Sequence, residues 1–180
     1  MLSLSHDEVV HLKGSMYTKM PGTPEQKMAN LRLAYAYQMV HPGKKLLFMG
    51  QEYGQVHEWA ENKALDWEDL EKPAHRQMQN YTKALIQLYK THPALWKLDY
   101  DSDGFEWINC VEWEKSMVTF LRKSKKQEDT LVVICNFSDR DAVLTADAQM
   151  EGQILLGNYD EEGEKQKLRP WETRIVILKE

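Results

Sequence analysis

Two stretches of the chain carry apolar residues at helical spacing, and each predicts a helix. In the first, Thr23 is a typical N-cap, Pro24 follows at the first helical position, and Gln26 stands three residues after the cap. These signals predict a helix over about residues 24–40, which a Pro-Gly pair ends. The second pattern predicts a helix over about residues 74–91.

Two shorter apolar runs flank the first helix. Residues 2–5 alternate between apolar and polar, and residues 45–49 form a continuous apolar run near glycines. A continuous apolar run of that length is typical of a parallel strand buried on both faces. Strand, helix and strand in this order predict one βαβ unit.

Beyond a turn-rich segment at residues 99–104 the apolar period becomes two. The predicted strands are 106–113, 117–122, 130–136, 142–145, 153–156 and 173–178. Short strands at this spacing predict an antiparallel sandwich. The chain is therefore expected to be α+β, with one unit over 1–100 and an all-β unit over 101–180.

Composition narrows the choice of partner and cofactor. The net charge is −5 with no basic stripe, which argues against a nucleic-acid partner. No run of about 18 apolar residues predicts a membrane span, and no signal peptide is visible, so we expect a cytoplasmic protein without a membrane partner. No metal and no cofactor are expected, because no zinc spacing and no glycine-rich phosphate loop occur. Cys110 and Cys135 lie in apolar runs and are expected to be buried thiols, with a disulfide left open.

The candidate chemistry lies at the end of the first predicted strand, where His6, Asp7 and Glu8 follow one another. Barrel enzymes and open α/β sheets place their reactive groups at the carboxyl ends of strands. The alternative is a solvated tail or a helix start that Asp7 caps. Composition alone favours this second interpretation.

A resemblance changes that balance. The run from Ser5 to Ser15, Ser-His-Asp-Glu-Val-Val-His-x-Lys-Gly-Ser, resembles the fourth conserved motif of the α-amylase superfamily of glycoside hydrolases, in the form found in 1,4-α-glucan (glycogen) branching enzymes. Further matching stretches follow in the same order over nearly the whole chain. They are Lys-Met-Pro-Gly at 19–22, Pro-Gly-Lys-Lys-Leu-Leu-Phe-Met-Gly-Gln-Glu at 42–52, Glu-Trp at 58–59, Leu-Asp-Trp at 65–67, Asp-Gly-Phe-Glu-Trp-Ile at 103–108 and Asn-Phe-Ser at 136–138.

The resemblance implies the last two βα units of a (β/α)8 barrel, followed by a C-terminal β-sandwich. It also implies that Asp7 is the carboxylate that stabilises the transition state and that His6 donates hydrogen bonds to the same sugar. Trp59 is expected to bind substrate by stacking on glucose, although packing of its loop is an equal alternative. The implied partner is an α-glucan such as glycogen or amylose.

The family's nucleophilic Asp and its acid/base Glu lie in earlier motifs. The chain is therefore expected to be a C-terminal fragment of an enzyme that transfers an α-1,4-glucan segment to a 6-hydroxyl, and to be inactive alone. Glu8 and Glu52 are poor substitutes, since Glu8 follows Asp7 directly and Glu52 is expected to pack near the barrel rim. His57 and His75 are expected to be ordinary surface or loop histidines.

Two departures from the family pattern stand out. Leu12 occupies a position that is often Gly in branching enzymes, which affects local loop shape, and Ser5 stands where many amylases have Asn. The alternatives are a fragment of a hydrolase or debranching enzyme, a glucan-binding module that uses Trp59 and Trp171, and a structural cap. An isolated piece of this kind is expected to cover its open barrel edge by self-association or by rearranging its barrel portion.

Overall fold

A computed structural model describes residues 4–109, 113–125, 129–145, 152–161 and 163–178. Among the described residues, three α-helices precede the strands: α1 is Met16–Lys19, α2 is Pro24–Val40 and α3 is Pro73–Thr91. The described strands are β1 Phe105–Asn109, β2 Met117–Lys123, β3 Thr130–Asn136, β4 Ala142–Val143, β5 Gly152–Gly157, β6 Lys167–Leu168 and β7 Thr173–Leu178.

Both long helices form where the sequence predicts them. The Thr23 hydroxyl accepts the Gln26 N–H while the Gln26 side chain accepts the Thr23 N–H at 2.8 Å, so two donors at the start of α2 are satisfied by a capping box. Helix α2 buries residues on all sides, as its lack of a polar face requires. Helix α3 is amphipathic and lies against α2 through its apolar face.

Five strands form one antiparallel sheet in the order β1-β2-β3-β7-β5, and β4 pairs with β6 in a two-stranded ribbon. One face of the sheet contributes Phe120, Val133 and Ile175 to the core that α2 and α3 close. The opposite face packs Leu121, Val132 and other side chains against the ribbon. The sheet is thus a middle layer, and the helices share their core with it.

The two predicted parallel strands are the main correction. Residues 45–49 form no strand, and the expected pairing is reduced to one parallel bridge between Leu4 and Leu47. Residues 2 and 3 lie outside the described part of the chain. An extended pair gains little without neighbouring strands on either side, since two strands alone are marginal in water.

Other differences are local. Strand β1 ends at Asn109. Residues 110–112 of the predicted strand, including Cys110, lie outside the described part, and Trp113 begins a short 3-10 helix instead of ending a strand. Strand β6 was not predicted, because its two residues carry too little pattern to detect.

The prediction for His75 was wrong: it is buried on α3, where its Nδ1 lies 3.0 Å from the Tyr53 carbonyl oxygen. Cys135 is a buried free thiol, and burial raises its pKa to about 12.

One buried cation joins the helices to the sheet. The Arg122 guanidinium on β2 is fully buried and binds Asp99 Oδ1 at 2.6 Å. Its other nitrogens donate to the carbonyl oxygen of Val40, the last residue of α2, and to that of Gly104. Arg122 therefore satisfies a helix end and a turn that would otherwise bury unpaired acceptors.

A second polar link joins α2 to the far end of the sheet. The buried Asn158 amide, just after β5, donates to Ala29 at 3.1 Å and accepts from Thr173 at 2.9 Å. Arg32 donates to the Asn158 carbonyl at 2.9 Å.

No helix among the described residues has both the length and the apolar character that crossing a membrane requires.

We expect Arg122→Met to lower the free energy of unfolding by about 3–5 kcal/mol, because it leaves the Asp99 carboxylate and two carbonyl groups buried without a partner. Urea unfolding followed by circular dichroism measures this change. Arg140→Met, at an exposed position, is the control and should shift the midpoint little. Equal midpoints for the two variants would show that Arg122 does not join the layers.

Candidate active site

Asp7 and His6 lie in a short 3-10 turn, His6–Glu8, directly after the Leu4–Leu47 bridge. The turn is capped by Ser5, whose hydroxyl accepts the Asp7 N–H at 3.3 Å and also contacts Asp7 Oδ2 at 3.2 Å. The Asp7 side chain is 70% exposed and the His6 side chain 57%, with Asp7 Oδ1 3.3 Å from His6 Nε2. Because Ser5 supplies the cap, the Asp7 carboxylate can meet a ligand from solvent.

An aromatic row runs from this turn to the long loop that follows Leu47. The rings of His6 and Phe48 are 6.1 Å apart, and those of Phe48 and Trp59 are 5.3 Å apart in an edge-to-face arrangement. The backbone N–H of Trp59 donates to the Val9 carbonyl at 3.2 Å. The structure therefore brings the three sequence-predicted residues Asp7, His6 and Trp59 into one neighbourhood.

Other candidates lie elsewhere. The exposed Trp67 packs on Tyr53 at 5.5 Å, outside the aromatic row. Trp171 lies in the turn before β7, and its backbone N–H donates to the Ser138 carbonyl. Glu52 accepts the Gly50 N–H at 2.8 Å, which agrees with a packing role near the end of the Leu47 segment.

The long loop is ordered by a buried amide that sequence analysis missed. Gln55 Oε1 accepts the Tyr53 hydroxyl at 2.8 Å and the Asp66 N–H at 3.2 Å, while its nitrogen donates to the His57 carbonyl. At the surface, His57 Nδ1 lies 2.8 Å from Asp66 Oδ2, so His57 is an exposed loop histidine as predicted. Nothing in the local sequence pattern distinguishes Gln55 from other loop amides, because its role depends on the groups that the fold brings to its side chain.

A cleft of about 200 Å³ lies inside this loop beside Trp59. Its walls are polar and apolar in turn: Gln55, His57, Glu58, Trp59, Ala60, Lys63, Ala64, Leu65 and Asp66. A larger cleft of about 410 Å³ lies between α3 and the β5 edge and contains none of the predicted site residues. Volume alone does not identify the site. Of the three predicted site residues, Trp59 lines the smaller cleft, and the rings of Phe48 and His6 extend from it towards Asp7. A carboxylate, an imidazole and an indole are groups that sugar chemistry uses.

The segment before α1 has an unusual backbone. His11, Leu12 and Gly14 all have positive φ, at 60°, 66° and 73°. The Glu58 carboxylate accepts the Leu12 N–H at 3.0 Å and the Gly14 N–H at 2.6 Å. These backbone hydrogen bonds, that from Gly14 first, lower the pKa of Glu58 below its ordinary value.

The described residues contain no group of three His, Cys, Asp or Glu side chains that could hold a metal ion. The side chains of the site offer chemistry of their own. An exposed carboxylate can stabilise positive charge, an imidazole can donate or accept a proton, and an indole can cover a sugar face.

Curated proteins of known activity resemble this chain closely in sequence. It is 50% identical over 140 residues to the 1,4-alpha-glucan branching enzyme GlgB of Geobacillus stearothermophilus and 51% identical over 138 residues to that of Aquifex aeolicus. The matches cover 78% and 77% of this chain but 22% of each relative. The chain thus spans about a fifth of the length of the curated relatives it matches. No family model matches it.

Solved structures show the same fold at low identity. Isomaltulose synthase from Klebsiella sp. LX3 superposes with a TM-score of 0.71 at 13% identity, over 99% of this chain and 42% of that enzyme. A putative alpha amylase from Salmonella typhimurium gives 0.69 at 15% identity, over 97% and 34%. AmyP in complex with maltose gives 0.61 at 16% identity, over 87% and 36%. The α+β fold with its antiparallel sheet is therefore one that α-amylase-family enzymes contain.

We expect Leu12→Gly to raise the free energy of unfolding by about 0.5–1 kcal/mol, because the strain of a positive φ exceeds the entropy that glycine adds to the unfolded chain. The Leu12 side chain is 98% exposed, so little packing is lost. Chemical denaturation measures the difference. Leu46→Gly, outside the positive-φ residues, should lower stability instead. A Leu12→Gly variant less stable than the parent chain would contradict the strain argument.

Proposed function

We propose, because this chain is a homologue of the 1,4-alpha-glucan branching enzymes over most of its length, that it forms the part of such an enzyme that stabilises the transition state of glucan transfer. The whole reaction would cut an α-1,4 link and transfer the released segment to a 6-hydroxyl, which creates an α-1,6 branch. The substrate would be an α-glucan such as glycogen or amylose.

The observation that carries this proposal is the exposed Asp7 carboxylate beside His6, at the carboxyl end of the Leu4–Leu47 bridge. Active sites of barrel enzymes are built at that end of their parallel strands. One 3-10 turn directly after the bridge exposes the side chains of both His6 and Asp7.

The chemistry requires negative charge near the sugar. Retaining transfer passes through an oxocarbenium-like transition state, which is flat and positive at the anomeric carbon. The Asp7 carboxylate would bind this state more tightly than the ground state, and a His6 N–H would donate to sugar hydroxyls as charge develops. The Trp59 indole would cover an apolar sugar face at the end of the aromatic row.

The nucleophile and the acid/base are two further carboxyl groups about 5–5.5 Å apart in enzymes of this type. We assign neither role to Glu8, which shares the turn of Asp7, nor to Glu52, which is bound to the Gly50 N–H. We propose that both groups belong to the portion of the relatives that this chain does not match, so that the chain alone gives no turnover.

The domain interpretation follows from the same assignment. We propose that residues 1–100 are the last two βα units of a (β/α)8 barrel and that residues 101–180 are the C-terminal sandwich, with the β4–β6 ribbon as its second sheet. A cytoplasmic location is proposed with it. The identity near 50% favours a branching enzyme over a hydrolase or debranching enzyme, because the hydrolase-type structures share only the fold.

The isolated Leu4–Leu47 bridge has an edge with no flanking strand among the described residues, and Leu46 and Met49 are exposed beside it. We propose that a second copy covers this edge when the chain is isolated. Light scattering should then give a mass above that of one chain, and Leu46→Lys should reduce it to one chain. Val143→Lys, on the distant ribbon, is the control. A single-chain mass for the parent protein would contradict the proposal.

For the catalytic role we expect a chimaera to be decisive. This chain replaces the matching stretch of the Geobacillus stearothermophilus enzyme, and branching is followed by the fall in iodine absorbance of amylose. Asp7→Asn should lower kcat by about 10²–10³-fold, since it removes charge from the transition state while keeping the shape. Asp139→Asn, exposed and far along the chain, should keep the activity of the parent chimaera. Equal kcat for the two variants, with unchanged melting, would refute the role of Asp7.

A further inference from the structure

The Glu58 carboxylate is the one side chain among the described residues that holds both Leu12 and Gly14 by their backbone N–H groups. Its two oxygens are divided between them, Oε1 on Leu12 and Oε2 on Gly14. Hydrogen bonds from backbone N–H groups to a carboxylate are charge-assisted, and they are stronger than those between neutral groups.

The segment that Glu58 holds has a backbone conformation that the side chains of His11 and Leu12 disfavour. His11 and Leu12 both have positive φ, which costs free energy for residues that carry a Cβ. A backbone of this kind persists when surrounding contacts over-determine it, and such strain often accompanies a functional site. Glu58 is the long-range contact that opposes the strain, since it lies in a different loop from the residues it binds.

The same segment is tied to the turn that carries Asp7. Lys13, between the two residues that Glu58 binds, donates from Nζ to the Asp7 carbonyl oxygen at 2.6 Å. Val9, which precedes the segment, also contacts the turn: its N–H donates to the His6 carbonyl at 2.9 Å. The Val9 carbonyl accepts the backbone N–H of Trp59. The neighbouring residues Glu58 and Trp59 therefore hold the segment at two points.

We propose that Glu58 is a positioning residue, which fixes residues 10–14 and, through Lys13, the turn that presents Asp7 and His6 to the sugar. The effect on sugar binding rests on the proposed glucan function, whereas the hydrogen bonds that hold the segment do not depend on it. Glu58 acts through the backbone of other residues and is not itself a catalytic group. Nothing in the sequence motif around Asp7 indicates this link, because the two parts are distant in the chain.

The test uses the chain as it stands, with Glu58→Ala, Glu58→Gln and Glu61→Ala. Glu61 is the matched control, an exposed glutamate of the same loop. Proton–nitrogen NMR spectra report the hydrogen-exchange rates of the Leu12 and Gly14 amides and the amide shifts of His6 and Asp7. Maltoheptaose titration reports glucan affinity, and thermal melting reports global stability.

For Glu58→Ala we expect about tenfold faster exchange of the Leu12 and Gly14 amides, together with shifted His6 and Asp7 amides. Maltoheptaose affinity should fall by about tenfold, because small misplacements of a binding group are costly. Glu58→Gln should recover part of both effects, since its amide oxygen still accepts one N–H. Glu61→Ala should match the parent chain in every measurement.

Exchange rates and Asp7 shifts that are the same in Glu58→Ala and Glu61→Ala would overturn the positioning role. So would an affinity loss that only follows a lower melting temperature and that Glu58→Gln does not relieve. A parent chain that binds no maltoheptaose would instead count against glucan binding by the isolated chain. In that case the exchange rates and shifts still decide whether Glu58 positions the turn.

Discussion

The fold depends on one buried ion pair, between the Arg122 guanidinium and the Asp99 carboxylate. Arg122 stands on a strand, yet its hydrogen bonds reach the last carbonyl of α2 and the turn at Gly104. A buried cation is costly unless its donors find acceptors, and here one acceptor is the end of α2 while the other two lie in the turn-rich segment before β1. The contact therefore fixes both the distance and the orientation between helices and sheet. The sheet lies between the helices on one face and the β4–β6 ribbon on the other.

The same need to pair polar groups shapes the candidate site. The loops around Asp7 have little regular structure, and side chains satisfy some of their N–H groups: Glu58 accepts those of Leu12 and Gly14, and Gln55 accepts that of Asp66. Each of these residues bonds to more than one backbone or side-chain group, and this is how irregular segments acquire fixed positions. Function on such loops depends on a rigid scaffold beneath them. In this chain the scaffold is the α2–α3 layer, and Tyr53, buried beneath the loop, links it to α3 through His75.

The elements predicted from local pattern are those whose stabilisation is local. The capping box at Thr23 and the period of apolar residues determine α2, and the strands 130–136 and 173–178 have the predicted bounds. The parallel strands failed because their stability comes from neighbouring strands rather than from their own residues. The prediction that His75 is a surface or loop histidine was wrong for a related reason. Its burial depends on the Tyr53 carbonyl, which belongs to a different part of the chain and pairs with its ring nitrogen.

The sequence by itself determined the two long helices, the antiparallel strands and the family motif that singles out His6 and Asp7, because each of these is written in adjacent or periodically spaced residues. Only the tertiary structure decided that Trp59 joins them, that Glu58 holds Leu12 and Gly14, and that Arg122 is buried against a helix end. These contacts join positions far apart in the chain. Their free energy depends on distance and on water exclusion in the folded state, and neither quantity is present in the order of the residues.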